Sequence, residues 1–387
     1  MIYFDNAATT LQKPPAVWRA VARAIETCGN PGRSGHKAAM KAAHIVFDCR
    51  NAAADFFGMQ DPQRVVFTMN ATHGLNIAIK SCLKGGGHAV ISGFEHNSVA
   101  RPLEGMKGEG VTYSVARASL FDPQAAYTAV VEALTEDTRC VILTHVSNVF
   151  GFILPIEEVD GLCARRGIPL IIDASQSAGT LPLDVSKLQG TAFVCMPGHK
   201  GLYGPQGTGI LLCCKDIPLY SVLEGGTGSL SMKKQQPDFL PDALESGTLN
   251  VPGIAGLREG IRFVSRHREE IEQWEQALVQ QAAEGLASIP GVTVWHCDGH
   301  QTGVLSFKAS WADPSVLCDA LARQDFCLRA GLHCAPLAHE TVGTLPEGTL
   351  RIGFSPFNTR AQVEKLLQTI EKLRNPSETA KNTCFRY

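Results

Sequence analysis

Ile168-Pro-Leu-Ile-Ile-Asp-Ala-Ser-Gln-Ser177 decides the architecture, together with Met196-Pro-Gly-His-Lys-Gly201 downstream. The first stretch opens as an uninterrupted apolar run and ends on a carboxylate, Asp173. An apolar run without polar alternation reads as a strand covered on both faces. The same rhythm predicts strands at Arg64–Thr68, His88–Ser92, Val111–Val115, Cys140–Thr144, Pro169–Asp173, Ala192–Met196 and Gly209–Cys213. Helical patterns lie between several of them, at Ala38–Phe57, Thr72–Leu83, Pro123–Leu134 and Ile156–Arg166. Asp122-Pro123 is a good helix start, with Asp as cap and Pro in the first turn. This alternation predicts an α/β fold, a mostly parallel seven-stranded sheet with helices on both faces.

After about residue 253 the pattern changes. A long charged helix (Ile254–Ser288) leads to strands near Val292–Trp295 and Val304–Phe307, and then to a helix at Pro314–Gln324. Leu350–Ile352 and a last helix, Arg360–Arg374, complete a smaller α+β C-terminal domain. The expected division is a large domain over 13–253, a small one from 1–12 and 254–374, and a tail at 375–387. The tail ends in Cys-Phe-Arg-Tyr, an apolar finish expected to dock on something, with Cys384 a conceivable sulfur relay.

A chain of 387 residues, 44% apolar, can bury a large core. Its net charge of −2, without a block of Lys or Arg, argues against a nucleic-acid footprint. No apolar run reaches the roughly 18–20 residues of a membrane helix. The start, Met-Ile-Tyr-Phe-Asp-Asn, reads into structure rather than into a signal peptide. Thirteen cysteines with no Cys-x-x-Cys pair point to reduced thiols and a cytoplasmic protein, most of them small buried hydrophobes.

Ligands of such sheets sit beyond the carboxyl ends of the strands, where Asp173 falls. Lys200 follows a second apolar run, in a loop flanked by glycines. A carboxylate that keeps a pyridine nitrogen protonated and a lysine that binds an aldehyde are what pyridoxal 5'-phosphate requires. Either residue alone is a weak signal; the pair in this order is a strong one.

From Tyr3-Phe-Asp-Asn-Ala-Ala-Thr-Thr10 to Leu350-Arg-Ile-Gly-Phe-Ser355, the chain resembles the class V aminotransferase group of fold-type I pyridoxal phosphate enzymes. Within that group it is most similar to cysteine desulfurases and selenocysteine lyases. The resemblance implies roles for residues in several motifs. Asn70-Ala-Thr-His-Gly-Leu-Asn76 begins a helix after a strand, so Ala71, Thr72 and His73 would lie at the phosphate, which free N–H groups attract. His96, in Glu95-His-Asn-Ser98, would stack on the pyridine ring and is a possible proton carrier, because imidazole titrates near neutrality. Asn148 would lie beside the cofactor, Gln176 at its phenolic oxygen and His199 at the phosphate. Thr248, in Glu245-Ser-Gly-Thr-Leu-Asn250, would reach the neighbouring subunit's phosphate, which implies a homodimer.

Arg351 stands where the family grips the substrate's α-carboxylate, a task that suits a planar guanidinium. A structural ion pair is the other reading of this residue. Arg329, Asn148 and His36 complete the implied substrate contacts. Leu328-Arg-Ala-Gly-Leu-His-Cys-Ala-Pro-Leu337 matches the second desulfurase group, which assigns Cys334 as the persulfide-forming thiol. His333 and Arg329 are expected as cationic neighbours that favour the thiolate. His333, Cys334 and His339 lack a fourth metal ligand, and no metal is expected.

Two positions depart from the family. Pro197 replaces a usual Ser or Thr, removing a phosphate donor, and His73 stands where an acidic residue is common. The implied reaction converts L-cysteine or L-selenocysteine to alanine, with Lys200 taking the α-proton and Cys334 receiving sulfur, or selenium, for an acceptor protein. A transaminase, a β-eliminating lyase and a non-catalytic scaffold remain as alternatives.

Overall fold

The computed structural model describes residues 1–32 and 34–374. In chain order the first elements are β1 (Ile2–Tyr3), α1 (Pro15–Thr27), α2 (Lys37–Phe57), β2 (Val65–Thr68), α3 (Ala71–Leu83), β3 (Gly87–Ser92) and α4 (Asn97–Gly105). There follow β4 (Val111–Ala116), α5 (Pro123–Ala133), β5 (Thr138–Thr144), α6 (Ile156–Arg166), β6 (Leu170–Asp173), β7 (Thr191–Pro197) and β8 (Gly209–Cys213). β2 to β8 form one seven-stranded sheet in the order β2-β8-β7-β6-β5-β3-β4. From β4 to β7 all neighbours run parallel, and β8 is antiparallel to both of its neighbours.

The central strands explain the apolar runs. Val141, Ile142 and Leu143 of β5 and Leu170, Ile171 and Ile172 of β6 alternate between two faces, and both faces are covered. On one side α2, α5 and α6 supply Ala42, Val130 and Val159. On the other, α3 and α4 supply Leu75, Ile79, Val99 and Leu103. Full burial of each large aliphatic side chain contributes about 1.5–3 kcal/mol.

The second part comprises α7 (Val251–Ser288), β9 (Val292–Trp295), β10 (Val304–Ala309), α8 (Pro314–Ala322), β11 (Phe326–Cys327), β12 (Arg329–Gly331), α9 (Pro336–Val342), β13 (Thr349–Gly353) and α10 (Arg360–Arg374). A four-stranded antiparallel sheet, β12-β13-β10-β9, packs its core against α7, α8 and α10. β1 pairs in parallel with β11, so the N-terminal strand belongs to this smaller sheet's side of the molecule. α7 starts at Val251, three residues before the predicted Ile254, because the Asn250 side chain caps Gly253 N–H. Its first turns join the large core through Ile254, Leu257 and Ile261, and its last turns join the small core through Leu278 and Leu286. One helix thus holds the two sheets in register with each other.

Among the described residues no helix is long and apolar enough to cross a membrane. The tail at 375–387, including Cys384, lies outside the described residues.

Candidate active site

Asp173 is the last residue of β6 and is 2% exposed. Its Oδ1 accepts the Ser175 N–H at 2.9 Å, and it enters no salt bridge among the described residues. A buried carboxylate without a cationic partner is costly, so the position calls for a positively charged group. Lys200 lies in the loop between β7 and β8, its carbonyl fixed by Tyr203 N–H at 2.9 Å. Burial brings the Lys200 amine down to about 8; the Asp173 charge opposes that shift and the Arg351 charge adds to it.

The first turn of α3 opens toward the same region. Asn70 caps it by accepting His73 N–H at 2.9 Å, which leaves the Ala71 and Thr72 N–H groups at a helix N-terminus. Thr72 Oγ1 lies 2.8 Å from Ser98 Oγ. His73 Nδ1 accepts Met69 N–H at 3.4 Å, and burial lowers its pKa. Together, the unpaired buried carboxylate, the lysine amine and the helix N-terminus with its hydroxyl suit pyridoxal phosphate.

His96 caps α4 by accepting Ser98 N–H on Nδ1 at 3.0 Å. Burial brings its pKa down to about 4, although the Asp173 charge pulls the other way. The residue is half-buried, and this pKa lies below the neutral range in which a proton carrier is expected. His199 Nδ1 lies 3.0 Å from Thr9 Oγ1, and its pKa also falls to about 4 through burial. Its carbonyl accepts Thr10 Oγ1 at 3.0 Å and the Lys13 ammonium at 3.0 Å. Gln176 Nε2 donates to Ala7 O at 2.8 Å, which ties the loop after β6 to the N-terminal segment. Pro197 is buried at the end of β7, opposite Gly209 of β8.

Arg351, in β13, is 2% exposed. Nη2 pairs with Asp5 Oδ1 at 2.9 Å, Nη1 donates to Asn148 O at 2.9 Å, and Nε is buried without a partner. It thus carries both the ion pair and an unsatisfied donor. Asn148 Nδ2 donates to His333 O at 2.8 Å, bringing the Cys334 loop against the same group. Arg329 lies opposite Arg351 in the β12–β13 ladder and is exposed.

Cys334 is exposed, in a left-handed turn with His333 (φ 57° and 48°). Its carbonyl accepts Asn97 N–H at 2.7 Å. His333 does not serve as a cation beside the thiol. The residue is 5% exposed, Nε2 donates to Thr349 O at 3.1 Å, and burial pushes its pKa well below the usual range.

Thr248 is exposed and shares a cavity of about 200 Å³ with His73 and Met69 of its own chain. His36 stands apart: it caps α2 by accepting Ala39 N–H at 3.3 Å, and no hydrogen bond joins it to the other predicted residues. Among the described residues there is no cluster of His, Cys, Asp and Glu that would hold a metal. Sequence reasoning missed Asp5, Thr9, Lys13 and Ser98. Asp5 and Thr9 lie inside the Tyr3–Thr10 motif, so that motif was the available signal for them.

A family model, Aminotransferase class-V, matches residues 2–366. The chain belongs to the class V aminotransferase family, whose members are in general pyridoxal phosphate enzymes, and its architecture is fold-type I. Among individual proteins, it is 29% identical to a probable cysteine desulfurase of Methanothermobacter thermautotrophicus, over 96% of this chain and 94% of that one. It is 28% identical to cysteine desulfurase CsdA of Escherichia coli, covering 96% and 93% of the two chains. The apo structure of a cysteine desulfurase from Thermococcus onnurineus superposes with a TM-score of 0.87 at 28% identity, covering 96% and 94%.

Proposed function

We propose that this chain is a cysteine desulfurase or selenocysteine lyase that binds pyridoxal phosphate through Lys200, Asp173, Thr72 and the α3 N-terminus. The observation that carries the reading is the loop bearing exposed Cys334, bonded to both the α4 N-terminus beside His96 and Asn148 beside Arg351. The relatives named cysteine desulfurases support it.

Pyridoxal phosphate, when bound, supplies an electron sink for the substrate's α-carbon. The Arg351 guanidinium holds the substrate carboxylate, with Nε as its uncommitted donor. The Lys200 amine, brought near neutrality by burial, removes the α-proton. The Asp173 carboxyl would hold the ring nitrogen. His96, neutral, presents a ring face and an Nε2–H donor. The Cys334 thiolate attacks the β-sulfur or selenium to form a persulfide-type adduct; the C–S or C–Se bond breaks with its electron pair left on carbon, and that carbon takes up a proton so that the skeleton leaves as alanine. We further propose a homodimer in which Thr248 serves the partner's phosphate, a cytoplasmic setting and an acceptor protein for the sulfur. The proposed division is a large domain at 13–253 and a small one from 1–12 and 254–374.

The test is incubation with L-cysteine and L-selenocysteine in parallel, measuring alanine, protein persulfide, sulfide and selenide. Stoichiometric persulfide with alanine supports the proposal. Alanine from L-cysteine without persulfide, or no alanine from either substrate, overturns it. Loss of sulfur release but not of selenium release in Cys334→Ala assigns the selenocysteine activity.

A further inference from the structure

The Ser98 hydroxyl lies between two groups that the proposed function uses separately. It is 2.8 Å from Thr72 Oγ1 and 2.9 Å from His96 Nδ1, and the residue is 8% exposed. The main-chain N–H of Ser98 also reaches Nδ1, at 3.0 Å. A main-chain N–H can only donate. Nδ1 therefore presents its lone pair, and the ring proton is on Nε2.

The hydroxyl has one proton and two acceptors within reach. With Thr72 donating to Ser98 Oγ, the Ser98 proton goes to Nδ1. When a phosphate oxygen claims the Thr72 proton, the Ser98 proton is free to turn to Thr72, leaving Nδ1 with the main-chain donor alone. No proton leaves its oxygen in this exchange; two hydroxyls only rotate.

We propose that Ser98 is a positioning residue that couples occupancy of the phosphate site at Thr72 to the hydrogen bonding of the His96 imidazole, which its main chain holds as the Nε2–H tautomer. This rests on reading the α3 N-terminus as a phosphate site. The consequence is that filling that site alters the electron density of the ring expected to face the cofactor, before any substrate arrives.

The experiment uses cofactor-free full-length protein labelled with ¹⁵N-histidine, with the His96 signals assigned by their loss in His96→Gln. In the wild type Nδ1 should resonate as an unprotonated nitrogen and Nε2 as a protonated one, and inorganic phosphate should move Nδ1. Ser98→Thr should keep the movement. Ser98→Ala should keep the tautomer and abolish the movement. A protonated Nδ1 in the wild type, an equal movement in Ser98→Ala, or no phosphate binding by the wild type overturns the inference. Absence of a band near ~410–430 nm on adding pyridoxal phosphate defeats the broader functional reading instead, a result separate from the tautomer signals.

Discussion

The main-chain N–H of Asn97 donates to the carbonyl of Cys334 across 2.7 Å. Asn97 opens α4 on the large sheet's side, and Cys334 sits between β12 and α9 on the small sheet's side. This bond fixes the main chain of the thiol-bearing loop one residue from His96 while the side chain remains exposed. Cys334 stands at φ 57°, directly after His333 at φ 48°. Left-handed backbone costs roughly 1–2 kcal/mol for a residue with a Cβ.

Cys334→Gly removes that Cβ and should be more stable than Cys334→Ala by about 0.5–1 kcal/mol, part of the gain being offset by glycine's entropy in the unfolded chain. Both variants should lose persulfide formation. Urea unfolding of the two proteins decides the matter: an alanine variant as stable as the glycine variant means that the turn is not held.

Arg351 divides its nitrogens between a structural and a free role. Replacement by alanine removes the donor proposed for a substrate carboxylate and strands the Asp5 carboxylate. KM for the amino acid should rise about 10- to 100-fold, the range for a lost hydrogen bond to a charged group, with a smaller fall in kcat. Steady-state kinetics with alanine detection reads both constants. An unchanged KM would assign Arg351 to the ion pair alone.

How much of this site the sequence disclosed depended on how local each contact is. Asp173 and Lys200 were legible because each follows an apolar run that can only be a buried strand, and a strand end in a parallel sheet is a ligand position. The Arg351–Asp5 pair spans 346 residues of separation and leaves no periodic trace. The low pKa of His333 was equally invisible, since its burial against Thr349 arises from the β12–β13 pairing and not from its neighbours in the chain. Among the elements, α4 escaped notice because it has nine residues with Pro102 inside, and β11 and β12 have two and three residues, too few for a pattern.

Arg50 and Glu245 form a two-pronged ion pair, Nη1 to Oε1 at 2.9 Å and Nη2 to Oε2 at 2.8 Å, with side chains 10% and 6% exposed. Glu245 Oε1 also accepts Phe67 N–H at 2.7 Å. The pair anchors the start of the segment that carries Thr248. Glu245→Ala leaves the buried Arg50 charge with the Val65 carbonyl alone and the Phe67 N–H without a partner, and should cost about 3–5 kcal/mol. Urea unfolding should show a lower midpoint at unchanged slope. A loss below about 1 kcal/mol would mean that water replaces the carboxylate freely.

Glu95 is fully buried beside the site. Its Oε1 accepts the Ser92 hydroxyl and, at 2.7 Å, the Thr144 N–H, while Oε2 has no partner. Burial is the main reason its pKa is pushed up to about 8, with the Asp173 charge adding to the shift. Between the ordinary value of 4.5 and about 8, the folded protein holds a proton that the unfolded chain has released. Stability therefore falls as pH rises through that window, by up to about 1.4 kcal/mol per pH unit. Glu95→Gln keeps an acceptor at the Oε1 position and cannot ionise. The difference in unfolding free energy between wild type and Glu95→Gln should be flat below the window, move against the wild type within it, and level off above pH 8, where both states have ionised. Subtracting the two curves cancels every other titrating group that the substitution leaves alone, so parallel curves from pH 4.5 to 8 would show that Glu95 is ionised in the folded protein at neutrality.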